Sequence, residues 1–386
     1  GRKASLYFHI PFCSHKCGYC NLFSLQTNRT EYIATYLDTL HRQAQQLSPL
    51  TAGLTFDSFA IGGGTPLLLT VPQLEQLMAT AALFGVHPSH AFTSVETSPE
   101  YADRPRLNVL KKAGVSRVSI GIQSFQDEEL KAIKRRPRQN TIYQALDDIR
   151  QMDFPYFNID LIYGIKGQTV ESFLYSLEEA LRFQPNELFI YPLYVRQGTG
   201  ITEREPDDVC FRMYRAACKL LQAKGFLQTS MRRFIHHPST DAEVSCGDEV
   251  MLSCGSGGRS YLGDLHYATR YIVCQQCIAR EIDEYMATTD FTVARNGFIL
   301  SAKEQQQRFI IKNLMYYMGI DKAEYTRRFG EPLDRTPLFR QLAEQYWIEE
   351  TPERIRLTPE GLGYSDYIGQ LFITPEIRQL METYSY

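Results

Sequence analysis

The chain has 386 residues, 44% of them apolar and 22% charged, with a formal net charge of −3. That balance gives no electrostatic reason to expect nucleic acid or an anionic membrane as partner, and no apolar run approaches the ~20 residues of a membrane helix. The length exceeds what one core usually spans, so a large domain with a smaller one is expected. The opening stretch GRKASLYFHI lacks the long apolar segment of a secretory signal. Nine cysteines, an odd count, argue against a disulfide scaffold and for a reducing compartment, so the cytoplasm is the expected location.

In chain order, SLYFHI reads as a strand and YIATYLDTLHRQAQQL as a helix with apolar positions three and four apart. FDSFAI is a strand running into Gly62-Gly63-Gly64, and VPQLEQLMATAALF is the next helix. FTSVET precedes a helix around LNVLKKAG, and VSRVSIGI precedes DEELKAIKRR and IYQALDDIRQM. FNIDLIYG is followed by VESFLYSLEEALRF, and ELFIYPLYV closes the series. Six strands alternating with helices predict an α/β fold with a parallel sheet, and six units fit a partial, TIM-like barrel better than a closed one. Ligand sites then belong at the C-terminal ends of the strands. The expected core domain is 1–200. Residues 201–295 read as an irregular extension completing the active site, with helices near 209–223 and 279–286 around the loop SCGSGGRSY. The stretch 296–386 reads as a small helical domain: AKEQQQRFIIKNLMYYMG, KAEYTRRFG and PLFRQLAEQYW are helices, and IEETPERIRLT is a two-stranded wing. Its mixed charge suits a packing domain better than a DNA-binding winged helix.

HIPFCSHKCGYCNLF carries Cys13, Cys17 and Cys20. Thiolates are soft ligands for zinc, copper(I) or iron–sulfur clusters. Zinc fingers favour paired C-x2-C units, which the x3-then-x2 spacing fits poorly. A [4Fe–4S] cube normally takes four cysteines, so three on one loop leave one iron open to a small molecule. Elsewhere, Gly62–Gly64 suit either a tight turn or close approach of a ligand to backbone. Asp160 inside the apolar run FNIDLIYG is costly to bury unpaired. Glu96 at a strand end reads as a solvated acid or a contact, and Arg135 shares its basic run with Lys134 and Arg136. His266 and Tyr267 are candidates for a proton-handling pair or a capped turn. Cys246, Cys254, Cys274 and Cys277 could hold a second metal, although Cys274 and Cys277 also suit ordinary helix positions. Cys210 and Cys218 read as core, and the adjacent His236 and His237 as solvated.

Cys13-x3-Cys17-x2-Cys20 with Tyr19 before the last cysteine resembles the radical S-adenosylmethionine (SAM) superfamily. LYFHIPFC ahead of it resembles the oxygen-independent coproporphyrinogen III oxidase-like (HemN-like) branch, which also includes a haem chaperone and natural-product methyltransferases. The likeness continues through Gly62-Gly63-Gly64-Thr65-Pro66, Glu96-x-x-Pro99, Ser119-Ile-Gly-Ile-Gln-Ser-Phe125 and Asn158-x-Asp-Leu-Ile-x-Gly164, each at a predicted strand end. It implies a [4Fe–4S] cluster on the three cysteines, with the amine and carboxylate of SAM on the open iron. It also implies SAM contacts from Gly62, Gly63, Gly64, Thr65, Glu96, Gln123, Arg135 and Asp160, with Tyr7 and Tyr19 near the cluster. The implied chemistry is reductive cleavage of SAM to a 5′-deoxyadenosyl radical that takes hydrogen from a small organic substrate. An electron donor such as flavodoxin or ferredoxin is implied, and a monomer is expected.

The sequence departs from the namesake oxidases. They carry a further cysteine two positions past the triad, where this chain has Asn21-Leu22, and a long segment ahead of the first strand, where this chain has six residues before Tyr7. The HNxxYW motif of the haem chaperones is missing from SCGDEVMLSCGSGGRSY. The expectation is therefore a place nearer the methyltransferase-like members. There Gly255 and Gly257 would approach a second SAM, and methyl transfer or cyclopropanation would be the chemistry. Porphyrinogen decarboxylation and haem carriage are the alternatives.

Overall fold

The computed structural model describes residues 2–86, 91–136, 138–236, 250–333 and 337–383. The predicted strands form in order: β1 (Arg2–Ile10), β2 (Leu54–Gly63), β3 (Phe92–Thr97), β4 (Arg117–Gln123), β5 (Tyr156–Tyr163) and β6 (Glu187–Pro192). Each pairs in parallel with the one before it. Between them lie α1 (Thr30–Leu47), α2 (Val71–Ala82), α3 (Arg104–Lys112), α4 (Asp127–Ala132), α5 (Gln139–Gln151) and α6 (Val170–Leu181). Sequential order with right-handed crossovers puts every connecting helix on one face of a sheet. The strands record this residue by residue. Leu6 and Phe8, Phe59 and Ile61, Val95, Val118 and Ile120, Ile159 and Leu161, Leu188 and Ile190 are all buried and apolar. The alternate positions carry Tyr7, Ser94, Glu96, Arg117, Ser119, Asn158, Asp160, Glu187 and Phe189. Period-two alternation thus separates an apolar helix face from a polar face left free for ligands.

Residues 201–295 form no unit of their own. The chain divides into one unit of Gly1–Cys210 with Ser239–Ile299 and a second of Phe211–Pro238 with Leu300–Tyr386. In the first unit, β7 (Val250–Cys254) lies parallel to β1 on its free edge. β8 (Arg259–Leu262), β9 (Leu265–Ala268) and β10 (Gly297–Ile299) continue outward antiparallel. The order β10-β9-β8-β7-β1-β2-β3-β4-β5-β6 places β1 inside the sheet. These added strands are only three to five residues long and sit among glycines, so their alternation is too brief to read from sequence. The first unit also holds α8 (Gln275–Ala287) whole, whereas α7 (Asp207–Ala223) starts in it and runs on past its boundary.

In the second unit, α9 (Ala302–Leu314), α10 (Lys322–Phe329) and α11 (Pro337–Glu344) enclose a core of Phe309, Leu314, Ile320, Phe339, Leu342, Ile355 and Ile368. A Ser301/Glu304 capping box starts α9, and the left-handed Gly330 ends α10. The wing has three strands, because Ile320–Asp321 adds to the expected hairpin of Ile348–Glu350 and Arg354–Leu357. Among the described residues no helix is long and apolar enough to cross a membrane.

Phe8 is fully buried, with Phe59 edge-on at 5.0 Å and Phe84 at 6.3 Å. Phe8→Ala should lower unfolding free energy by about 3–5 kcal/mol, read as a shifted urea midpoint at unchanged slope. A loss under about 1 kcal/mol would contradict this account of the helix-facing core.

Candidate active site

The three cysteines lie on the loop leaving β1. Phe12–Cys13 pairs with Leu25–Gln26, which closes the loop at its base. Its tip is fixed from outside: Gly18 N–H donates to Ile133 O (2.9 Å), Gly200 N–H to Gly18 O (2.7 Å) and His15 Nε2–H to Lys134 O (2.8 Å). Thr65 Oγ1 lies 3.6 Å from Cys13 Sγ, and Ser24 Oγ lies 3.7 Å from Cys20 Sγ. Burial pushes the Cys13 thiol up to about 11, and the nearby Cys20 and Cys17 add to the shift. Burial also raises Cys17, against the pull of the Arg135 guanidinium. Metal binding here must displace protons, and the hydroxyls of Thr65 and Ser24 are placed to donate to the resulting thiolates. Among the described residues no three His, Cys, Asp or Glu side chains converge on a single ion. Three thiolates on one loop are a soft donor set that fits an iron–sulfur cluster.

Arg135 is the residue of its basic run that turns inward. Its Nη1 donates to Gly121 O at the end of β4 (2.9 Å), while Lys134 and Arg136 are exposed. Burial works against its charge, but Tyr19 and Cys17 beside it hold its pKa above the ordinary value. Burial drives the Tyr19 phenol well up, so it stays protonated. Gln123 has left-handed backbone (φ 74°) at a register shift between Gly121 and Gln123, and a Cβ on Gly121 would lie 2.6 Å from its Nε2. That strain fixes a polar side chain beside Arg135 at the strand end.

The triple glycine has three separate causes. A Cβ on Gly62 would come within 2.8 Å of the Glu96 carboxylate, one on Gly63 (φ 116°) within 2.8 Å of the His9 ring, and one on Gly64 within 2.5 Å of Phe12 O. Glu96 faces the open space of the polar face yet lies deep among protein atoms. Burial pushes it up to about 7, helped by Asp160 and opposed by a hydrogen bond from Gly63 N–H. Asp160 accepts from Asn158 Nδ2 (2.7 Å) and Ser119 Oγ (3.4 Å), and burial raises it to about 6. The predicted Cys13, Cys17, Cys20, Tyr19, Thr65, Arg135, Gln123, Glu96 and Asp160 thus gather at the C-terminal ends of β1 to β5.

Four neighbours of this group carried no assignment from sequence. Neutral His9, held near 4 by burial, donates from Nε2 to Phe23 O (2.9 Å), so its Nδ1 accepts from the Tyr7 hydroxyl (3.0 Å). Arg117 pairs with Glu187 (3.2 Å) and donates to Ser94 Oγ (2.9 Å), and Asn158 bridges Ser119 to Asp160. The period-two run of polar residues in Arg117-x-Ser119 and Asn158-x-Asp160 was the available signal.

Other expectations are corrected. Gly255, Ser256 and Gly257 donate their N–H groups to Gln43 Oε1, the Tyr36 hydroxyl and Thr269 Oγ1 at 2.8–2.9 Å. Side chains at Gly255 or Gly257 would strike His9, so these glycines serve packing and offer no free amides to a second SAM. His266 and Tyr267 are neighbours on β9 and therefore point to opposite faces. His266 stacks on Tyr261 at 4.2 Å, while Tyr267 lies by Ser260 and Cys254, so they cannot act as a pair. Cys254 is fully buried whereas Cys274 is exposed, and Cys246 lies outside the described residues, as does His237. Cys210 is buried on α7 as expected, and His236 packs on Phe226 at 5.0 Å.

The Radical SAM superfamily profile matches residues 7–180, and the HemN C-terminal domain profile matches 300–363. The chain is 32% identical to the oxygen-independent coproporphyrinogen III oxidase of Salmonella typhimurium, over 93% of this chain and 83% of that protein. The chain belongs to the radical SAM superfamily, in its oxygen-independent coproporphyrinogen III oxidase-like branch. It is also 26% identical to the heme chaperone HemW of Bacillus subtilis, over 95% of this chain and 100% of that protein. The solved structure of coproporphyrinogen III oxidase from Escherichia coli superposes with a TM-score of 0.80 at 23% identity, covering 97% of this chain and 90% of that one. The radical SAM profile runs from β1 to α6, the part of the chain that carries the gathered residues. Membership implies a [4Fe–4S] cluster and SAM. These relatives are oxidases and a haem chaperone, and a place nearer the methyltransferase-like members finds no support among them.

Glu96 yields a signed prediction. Its folded-state pKa near 7 lies above the ordinary 4.5, so its contribution is full below about 4.5 and is lost as pH rises through about 7. Glu96→Gln, which cannot ionise, should gain thermal stability relative to the parent across that window. A constant difference between the two melting curves from pH 4.5 to 8 would contradict burial as the cause.

Proposed function

We propose that this chain is a radical SAM oxidoreductase acting on a small organic molecule held against the polar face of β1–β6. Cys13, Cys17 and Cys20 would hold the [4Fe–4S] cluster, and SAM would bind beside it. When bound, cluster and SAM supply a 5′-deoxyadenosyl radical that takes a hydrogen atom from substrate. The observation that carries the reading is Arg135, anchored on Gly121 O with its guanidinium beside Tyr19 and Cys17. A buried, fixed cation beside the cysteine loop is suited to a carboxylate through its planar fork. Glu96, Thr65 and Gln123 supply further polar contacts to the same ligand. Asp160, which burial raises to about 6 against the hydrogen bonds from Asn158 to Oδ1 and Ser119 to Oδ2, is set to hold or release a proton near neutral pH. The electron donor is a flavodoxin- or ferredoxin-class protein.

A second reading, oxidative decarboxylation of a propionate side chain, rests on the similarity to the oxidase of Salmonella typhimurium. Methyl transfer loses its structural footing because the Gly255–Gly257 amides are already donated within the protein.

Anaerobic reconstitution with iron and sulfide, then dithionite and SAM, should yield a chromophoric cluster and 5′-deoxyadenosine, and Cys17→Ala should abolish both. A cluster that forms without any SAM cleavage would favour a haem carrier and sink the enzyme reading. Released CO2 from a propionate-bearing substrate would select decarboxylation, and S-adenosylhomocysteine would restore methyl transfer.

Arg135→Ala should weaken SAM binding by about ten- to hundredfold, the loss of one charge-assisted contact. Equilibrium binding to the reconstituted protein reads this, and unchanged affinity would remove Arg135 from the SAM site.

A further inference from the structure

Cys274 and Cys277 are absorbed by none of the chemistry above. Cys274 is the N-cap of α8 (φ −62°, ψ 123°) and Cys277 is three residues on, in the first turn. The N-cap and the third helical residue are neighbours across the first turn, so this spacing puts the two cysteine side chains next to each other. Each thiol shifts the other's proton affinity, so the two interact, although the Cys274 side chain makes no cap hydrogen bond. Cys274 is exposed and Cys277 partly so. The Cys277 thiol and the helix-end amides hold the Cys274 pKa below the ordinary thiol value, whereas Cys277 is raised by Cys274. An accessible, acidified outer thiol with a more basic partner behind it is the asymmetry that thiol–disulfide exchange requires.

The residues on either side of Cys274 are tied to the cysteine loop. Lys16, between Cys13 and Cys17, donates from Nζ to Val273 O (3.0 Å). Gln275 donates from Nε2 to Ser24 O (2.8 Å) and accepts at Oε1 from Gln26 N–H (2.8 Å). The start of α8 therefore clasps the loop at both its tip and its exit.

We propose that Cys274 and Cys277 form a reversible dithiol–disulfide couple, exchanging with low-molecular-weight disulfides, whose state is transmitted to the cysteine loop through Val273 and Gln275. The Cys274 thiolate attacks one sulfur of RSSR, forming a mixed disulfide and releasing RS⁻. Cys277 then loses its proton and attacks Cys274 Sγ, closing the intramolecular bond and releasing the second RS⁻. Two protein thiols are oxidised and one RSSR is reduced to two RSH. Closure places Gln275 inside a ring spanning 274–277, which re-aims its side chain away from Ser24 and Gln26. The assignment is independent of which substrate the enzyme uses.

The test uses the full chain with its cluster reconstituted anaerobically, equilibrated at rising ratios of oxidised to reduced glutathione, acid-quenched and alkylated. Trypsin releases Tyr271–Arg280, which contains these two cysteines and no others. The expected result is a peptide that loses both alkyl labels in one step, becomes two hydrogens lighter, and reverts in excess reduced glutathione. Cys277→Ser should trap glutathione on Cys274 in place of the internal bond. In the oxidised parent, hydrogen exchange over 24–26 should accelerate as the Gln275 contacts are lost. Both labels kept at every ratio, a lasting glutathione adduct on the parent peptide, or unchanged exchange over 24–26 once the disulfide has formed would each overturn the proposal.

Discussion

The neutral ring of His9 is the joint on which the site is assembled. Its Nε2 holds Phe23 O at the exit of the cysteine loop, and its Nδ1 takes the Tyr7 hydroxyl from the same strand. The ring occupies space that Gly63 and Gly257 both leave by lacking a Cβ. Tyr36 of α1 donates to His9 O and in turn accepts from Ser256 N–H. His9, through its buried ring and its backbone carbonyl, therefore fixes the cysteine loop, the end of β2, α1 and the loop after β7 against each other. Burial keeps the ring uncharged, which preserves the single tautomer these contacts need.

Around that joint the polar face is deliberately unsettled in charge. Glu96 and Asp160 lie close enough for the one to raise the other's pKa, and Arg117 is already committed to Glu187. Asn158 donates both ways but leaves its Oδ1 buried without a partner among the described residues. Groups with incomplete solvation gain most from a ligand that brings its own donors. A ligand that donates to these groups is favoured for that reason.

Much of this was legible in the residues. The six-strand alternation, the cysteine triad and the strand-end motifs all appeared where the periodicity placed them, because long, regular β–α repeats leave a strong signal. The short strands β7 to β10 did not, since each spans too few residues to show a period. Arg135 could not be separated from Lys134 and Arg136 by composition alone. Only its contact with Gly121 O, made across a distant turn, distinguishes it. The glycines around 255 were read as ligand-facing because glycine signals close approach without saying to what. Here the neighbour is a side chain of the protein itself. His9 was passed over because a histidine in an apolar strand is indistinguishable in sequence from an ordinary core residue.

The placement of β1 within the sheet has a consequence for how such proteins diversify. The strand that leads into the cysteine loop has paired neighbours on both sides, β7 and β2, and the antiparallel additions lie farther out. A sheet of this kind can gain, lose or reshape strands at its rim without changing the register of its central strand. New substrates can then be accommodated by peripheral tinkering while the radical-forming apparatus is inherited whole, which lets close relatives share one ignition and differ in what they burn.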